Sequence, residues 1–199
     1  MIKNIVFDIG NVLVYFAWKE AMVELGFSEE AIDTLDKNFI NNELWDLMDR
    51  GRHTEEEIID LTCKQNPQYE KEIRLFWENN LLSIEPYEYS KPWIISLKEK
   101  GLKVYLLTNY PDSFFKKSVE HRFPFYPYVD GEVVSSREKF RKPEKEIYEI
   151  LFNRYNIKPE ESVFFDDRPV NIEAAKKLGM HAFVFEGYEK AQLILNDLL

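Results

Sequence analysis

Met1-Ile-Lys-Asn-Ile-Val-Phe-Asp-Ile-Gly-Asn-Val-Leu13 is the stretch from which the rest of the chain is read. Residues 2–7 form a short, mostly apolar run with β-branched members, which predicts a buried strand. The run stops at Asp8, and Gly10-Asn11 then supplies a turn. Open α/β sheets bind their ligands beyond the carboxyl ends of the strands. Asp8 is therefore a candidate for chemistry, with a plain turn-capping role as the competing reading.

Three later stretches share this layout. Residues 102–107 form a second apolar run, ending in Thr108-Asn109. Lys142-Pro143 opens a helical pattern, with Pro143 expected in the first turn, where its fixed φ and missing N–H are tolerated. Residues 162–165 are a third buried strand, ending in Asp166-Asp167. A carboxylate, a hydroxyl, an ammonium and a carboxylate pair thus each fall at a strand end or helix start. In a parallel sheet these ends converge on one edge.

Through Asp8-Ile-Gly-Asn-Val-Leu13, Val104-Tyr-Leu-Leu-Thr-Asn109, Arg141-Lys-Pro-Glu-Lys-Glu-Ile-Tyr148 and Val163-Phe-Phe-Asp-Asp-Arg-Pro-Val-Asn-Ile-Glu-Ala-Ala175, the chain resembles the haloacid dehalogenase-like hydrolases. Most members of that family are phosphatases. Within it the chain looks most like the branch that includes bacterial glucose-1-phosphate phosphatases. The resemblance covers nearly the whole chain. It implies a helical cap inserted after the first strand, closing over the site and selecting the substrate.

The pattern between residues 16 and 82 fits such an insertion. No strand is evident there, and apolar residues recur at helical spacing, as in Ile32, Leu35 and Phe39 or Leu44, Leu47 and Met48. Ser28 before Glu29-Glu30 and Thr54 before Glu55-Glu-Glu57 read as helix N-termini, the latter as a capping box. A segment of about 65 residues has the size of a small helical bundle. The alternative is that these helices simply cover one face of the sheet. Beyond residue 82, strands alternate with helices, which implies parallel βαβ units. The expected fold is an α/β three-layer Rossmann-like sandwich with a parallel sheet, formed by residues 1–15 and 83–199, plus an α-helical cap over 16–82.

Bulk properties narrow the partners. The 199 residues are 45% hydrophobic and 31% charged, an ordinary globular composition. A formal net charge of −10 argues against a nucleic-acid backbone or an anionic membrane as partner. An anionic substrate must then be held by local cations and a metal. The single cysteine, Cys63, excludes an internal disulfide and reads as packing. With no signal-peptide layout and no membrane-length apolar run, the expectation is a cytoplasmic protein, monomeric or homodimeric.

Phosphate monoesters resist hydrolysis because their anionic oxygens repel a nucleophile, and a site must neutralise those oxygens while holding attacker and leaving group in line. Asp8 is the expected nucleophile, forming an aspartyl-phosphate. A carboxylate attacking a dianion needs a cation between them, and oxygen-rich ligation favours Mg²⁺. Asp8, Asp166 and Asp167 supply carboxylates for it, and the resemblance adds the main-chain carbonyl of Gly10. Thr108 and Asn109 would donate to phosphoryl oxygens, and Lys142 would neutralise the phosphate. Trp18, Trp45, Arg50, Arg52 and His53 are the candidate specificity residues of the cap.

Gly10 departs from the family pattern, in which many members carry an aspartate there as general acid and base. The expected substrate is a small phosphorylated metabolite, above all a sugar phosphate. Gly10 implies either a preference for good leaving groups or an acid borrowed from the cap or the substrate. Competing readings are a catalytically impaired phosphate- or partner-binding protein on the same scaffold, a 2-haloacid dehalogenase needing no metal, and a phosphoryl mutase.

Overall fold

Period-two alternation sorts the strand side chains into two buried layers. In the computed structural model, which describes residues 1–199, Ile5, Phe7, Val104, Leu106, Val163 and Phe165 enter one cluster. Val6, Tyr105, Leu107 and Phe164 enter another on the opposite face. The elements that bracket these layers follow from the chain order. It runs β1 (Asn4–Phe7), β2 (Val14–Phe16), α1 (Trp18–Glu24), α2 (Glu29–Leu35), α3 (Glu43–Arg50), α4 (Glu55–Gln65) and α5 (Glu70–Glu78). Then come β3 (Ile84–Pro86), α6 (Ser90–Glu99), β4 (Lys103–Thr108), α7 (Asp112–His121), β5 (Gly131–Val134) and the short α8 (Ser135–Glu138). The chain ends with α9 (Lys145–Tyr155), β6 (Ser162–Asp166), α10 (Pro169–Lys177), β7 (His181–Val184) and α11 (Tyr188–Leu198).

Five strands form one parallel sheet in the order β5-β4-β1-β6-β7. Trp93, Ile94 and Leu97 of α6, Phe114 and Phe115 of α7, and Ala191 and Leu195 of α11 cover one face. Ile147, Tyr148 and Leu151 of α9 with Ile172 and Ala175 of α10 cover the other. This is the three-layer α/β sandwich expected from the alternation of strand and helix patterns. Register fixes the site edge: Phe7 pairs with Leu106 on one side and Phe165 on the other, so Asp8, Thr108 and Asp166 leave the sheet together.

The helices between β2 and β3 have an apolar centre of their own, built on Met22, Leu35, Phe39, Leu44, Met48, Ile58, Ile73 and Phe76. Cys63 packs there as a buried thiol. Ser28 Oγ accepts from Ala31 N–H at 3.2 Å, and Thr54 and Glu57 form the reciprocal capping box that their spacing predicts. The ribbon by which this segment leaves and rejoins the sheet was not evident in the pattern. β2 and β3 pair antiparallel, Val14 with Pro86 and Phe16 with Ile84. Three residues per strand are too few to show alternation. No helix is long and apolar enough to cross a membrane.

The C-terminal end of α3 is pressed onto α8. Gly51 closes α3 in the left-handed region (φ 65°) and lies so near Ser136 that a Cβ there would stand 2.2 Å from the Ser136 carbonyl oxygen. Ser135 Oγ donates to the Asp49 carbonyl at 2.5 Å, and Lys139 Nζ donates to the Gly51 carbonyl. Two ion pairs flank this contact, Arg141 to Asp46 at 2.6 Å and a two-pronged Arg50–Glu144 pair at 2.6 and 3.0 Å.

Candidate active site

Strand termini deliver the central groups. Asp8 follows β1, Thr108 ends β4 and Asp166 ends β6, and all three are buried. Oxygens of Asp8, Asp166 and Asp167 lie within 4.8 Å of one another. Lys142, 1% exposed, reaches between two of them: its Nζ stands 2.9 Å from Asp8 Oδ1 and 2.6 Å from Asp166 Oδ2. Three carboxylates against one ammonium leave net negative charge in a desolvated place. Burial accordingly pushes the Asp8 carboxyl up to about 7, with Lys142 opposing and Asp166 and Asp167 adding to the rise. Burial opposes the Lys142 charge, yet Asp166 and Asp8 outweigh it and hold the ammonium above its usual range.

The carboxylates are not equivalent. Asp166 Oδ2 takes Lys142, and Asn171 Nδ2 and the Arg168 N–H donate to Oδ1. Asp8 Oδ1 accepts from Ile9 N–H at 2.7 Å, and Asp167 Oδ2 accepts from Asn11 at 3.1 Å. The second oxygen of Asp8 and of Asp167 has no protein donor. An excess of convergent anionic oxygens, two of them without a donor, is the donor set of a hard divalent cation. The residues therefore fit Mg²⁺.

Thr108 Oγ1 is buried and has no hydrogen-bond partner within the protein. Such a hydroxyl costs about 1–3 kcal/mol unless something else fills its valence. Asn109, whose amide is expected to donate to the phosphoryl oxygens, also bonds the Lys142 peptide. Its Oδ1 accepts from Lys142 N–H at 2.8 Å and its Nδ2 donates to the Lys142 carbonyl at 3.1 Å. The side chain thus clasps the Lys142 peptide, leaving one amide N–H. Pro143, expected in the first helical turn, lies before the helix. The loop through 141–143 is held to the β4 edge, Glu144 caps its own loop through Arg141 N–H at 3.0 Å, and α9 starts only at Lys145.

These groups open into a cleft of about 880 Å³ between the sheet edge and the inserted helices. Gly10 lines it, and a Cβ at Gly10 would meet nothing within 4 Å. Trp18 and Trp45 line the far wall with Asn41 and Asn42, whereas Arg52 and His53 are exposed away from it and Arg50 is spent on Glu144. Asp49 is the residue that sequence reasoning passed over. It lines the cleft, is 6% exposed, and its Oδ1 is buried without a partner. Its one sequence signal is a four-residue spacing from Trp45, which puts both on one helix face.

Comparison with known proteins identifies the family. A family model described as haloacid dehalogenase-like hydrolase matches residues 2–179. The chain is 28% identical over 178 residues to a sesquiterpene phosphatase of Aspergillus oryzae, covering 89% of this chain and 87% of that protein. It is 27% identical over 195 residues to a D-ribitol-5-phosphate phosphatase of Bacteroides thetaiotaomicron, covering 92% and 91%. A haloacid dehalogenase family enzyme of the same bacterium, solved with magnesium and inorganic phosphate, superposes with a TM-score of 0.74 at 26% identity, over 97% of this chain and 99% of that one. With most of its length matched by the family model, the chain belongs to the haloacid dehalogenase-like hydrolases.

Proposed function

We propose that this hydrolase is a Mg²⁺-dependent phosphomonoesterase that acts through an aspartyl-phosphate on a small phosphorylated metabolite, a sugar or polyol phosphate. The observation that carries this reading is the cluster of Asp8, Asp166 and Asp167 around the buried Lys142, beside the unpartnered hydroxyl of Thr108. In it Asp8 is the nucleophile. Its attack breaks the bond from phosphorus to the leaving oxygen and forms an acyl-phosphate, which water then hydrolyses. Thr108 donates to a phosphoryl oxygen, and Lys142 balances charge between Asp8 and the incoming phosphate. Asn109 keeps Lys142 in place. The free oxygens of Asp8 and Asp167, with the Gly10 carbonyl, would hold the metal, while Asp166 anchors Lys142. Bound there, Mg²⁺ would neutralise the phosphoryl oxygens and lessen their repulsion of the carboxylate.

The inserted helices act as the cap, and aromatic rings beside amides on their wall suit a polyhydroxylated leaving group. Sugar- or polyol-phosphate selection draws support from the relative that acts on D-ribitol 5-phosphate. A metal-free dehalogenase would leave the Asp166-Asp167 pair without a counter-charge beyond Lys142. Hydrolysis of p-nitrophenyl phosphate with and without Mg²⁺, for wild type and Asp8→Asn, tests the proposal. Metal-dependent turnover lost in Asp8→Asn is expected, and retained activity in that variant refutes the nucleophile.

A further inference from the structure

The missing side chain at Gly10 leaves the leaving-group oxygen without a proton donor from the first strand. An alkoxide is a poor leaving group, so whatever protonates it must reach the cleft from elsewhere. The acidic side chains of the cleft can be sorted by what already holds them. Asp8 and Asp167 belong to the charge cluster, and Asp46 is tied to Arg141 at 2.6 Å. Glu20 and Glu43 sit on the exposed rim. Asp49 remains: buried, making no ion pair, and holding an oxygen without a partner.

We propose that Asp49, brought to the cleft by α3, is the general acid and base that the family usually places where this chain has Gly10. The inference rests on the phosphatase reading above. Protonated Asp49 gives its proton to the leaving oxygen as the P–O bond breaks and Asp8 takes the phosphoryl group, releasing the alcohol. The Asp49 carboxylate then accepts a proton from the water that attacks the acyl-phosphate. That step releases hydrogen phosphate, frees Asp8 and returns Asp49 to the acid.

Two features make the position suitable. The main chain of Asp49 is fixed to the core by Ser135 Oγ, which itself accepts from Tyr110 N–H at 3.0 Å. The contact of Gly51 with Ser136, two residues on, sets the depth at which α3 sits. The charged and titratable neighbours are Asp46 on its own helix, Arg141 and Lys142 in the loop before α9, Asp8 beyond β1, and Tyr110 beyond β4. Burial raises the Asp49 carboxyl to about 8, Arg141 and Lys142 opposing and Asp46 and Asp8 reinforcing, so at neutral pH it carries the proton an acid must give. The donor comes from the inserted helices, on α3.

The test compares kcat/KM for glycerol 1-phosphate, a poor leaving group, with that for p-nitrophenyl phosphate, a good one, in Mg²⁺-loaded protein. Asp49→Asn should lose about 10²–10⁴-fold on the alkyl ester and less than about tenfold on the aryl ester. Adding Gly10→Asp to Asp49→Asn should recover at least about tenfold on the alkyl ester, since the new side chain enters open space. Equal losses on both esters, or no loss, overturn the assignment. In wild type the alkyl-to-aryl ratio should fall as pH rises and the Asp49 carboxyl, held up by burial, gives up its proton. A flat ratio overturns it without recourse to any variant. Wild type silent on both esters with Mg²⁺ refutes the phosphatase reading itself, and the inference falls with it.

Discussion

Replacing Gly51 with alanine should separate the docking of α3 from its mere presence. The native φ of 65° would place alanine in the left-handed region at a cost of about 1–2 kcal/mol. The new Cβ would also stand 2.2 Å from the Ser136 carbonyl oxygen and 2.7 Å from its Cα. Ordinary contact requires a retreat of about 1 Å, and forced shifts of this kind cost about 1–3 kcal/mol. The sum is a loss of about 2–5 kcal/mol. Gly26 is the matched control: it lies in the same helical segment with φ 81°, but a Cβ there meets nothing within 4 Å. Gly26→Ala should lose only the conformational part, about 1–2 kcal/mol. Displacing a catalytic group by about 1 Å can cost about 10²-fold in rate. Gly51→Ala should therefore lower kcat/KM for an alkyl phosphate about 10–100-fold, and Gly26→Ala should leave it unchanged. Urea unfolding and steady-state kinetics on both variants check this. Equal stabilities with undiminished activity in Gly51→Ala would refute a tight α3–α8 seat.

Lys142→Met should abolish turnover and lower stability by about 3–5 kcal/mol in urea, because it leaves Asp8 and Asp166 buried without their cation. Added Mg²⁺ should restore more stability to this variant than to wild type, and an equal metal effect would contradict the charge argument. Thr108→Val should do the opposite to stability, adding up to about 1 kcal/mol by removing an unpartnered buried hydroxyl, while kcat/KM falls. A variant both stabilised and fully active would remove Thr108 from the site. Asp49→Asn should change the pH dependence of folding. Folded Asp49 keeps its proton up to about pH 8 and the unfolded chain loses it near 4, so wild type loses stability as pH rises through that window, by at most about 1.4 kcal/mol per pH unit. The variant should gain on wild type between pH 5 and pH 8, and an unchanged difference in urea unfolding would contradict a raised Asp49.

Residues at strand ends were legible from sequence because one rule places them: apolar runs in a parallel sheet stop at a common edge. Asp8, Thr108 and Asp166 needed only that rule. Lys142 needed tertiary information, since its depth comes from Asn109 clasping its peptide, a contact spanning 33 positions. Pro143 lies before the helix its chemistry would have allowed. Asp49, marked only by its spacing from Trp45, was hard to see for a different reason. A carboxylate beside Arg50 on an amphipathic helix reads as solvent-facing until the far side of that helix meets α8. The ribbon of β2 and β3 escaped because three residues cannot display a period of two.

The position of β1 has a consequence for how the protein comes off the ribosome. The earliest of these strands in chain order is the middle of the sheet, paired at Asn4 with Lys103 on one side and Ser162 on the other. At synthesis rates of about 5–20 residues per second, β1 waits about 5–20 s for its first neighbour and about 3–12 s more for its second. Through that interval Ile5, Val6 and Phe7 have no permanent cover, while the inserted helices, complete by Glu78, already hold an apolar cluster of their own. Those helices can fold first, beside a strand still lacking both partners. Nascent chains arrested between β4 and β6 should bind holdase chaperones through residues 2–7, and chains released after β7 should not.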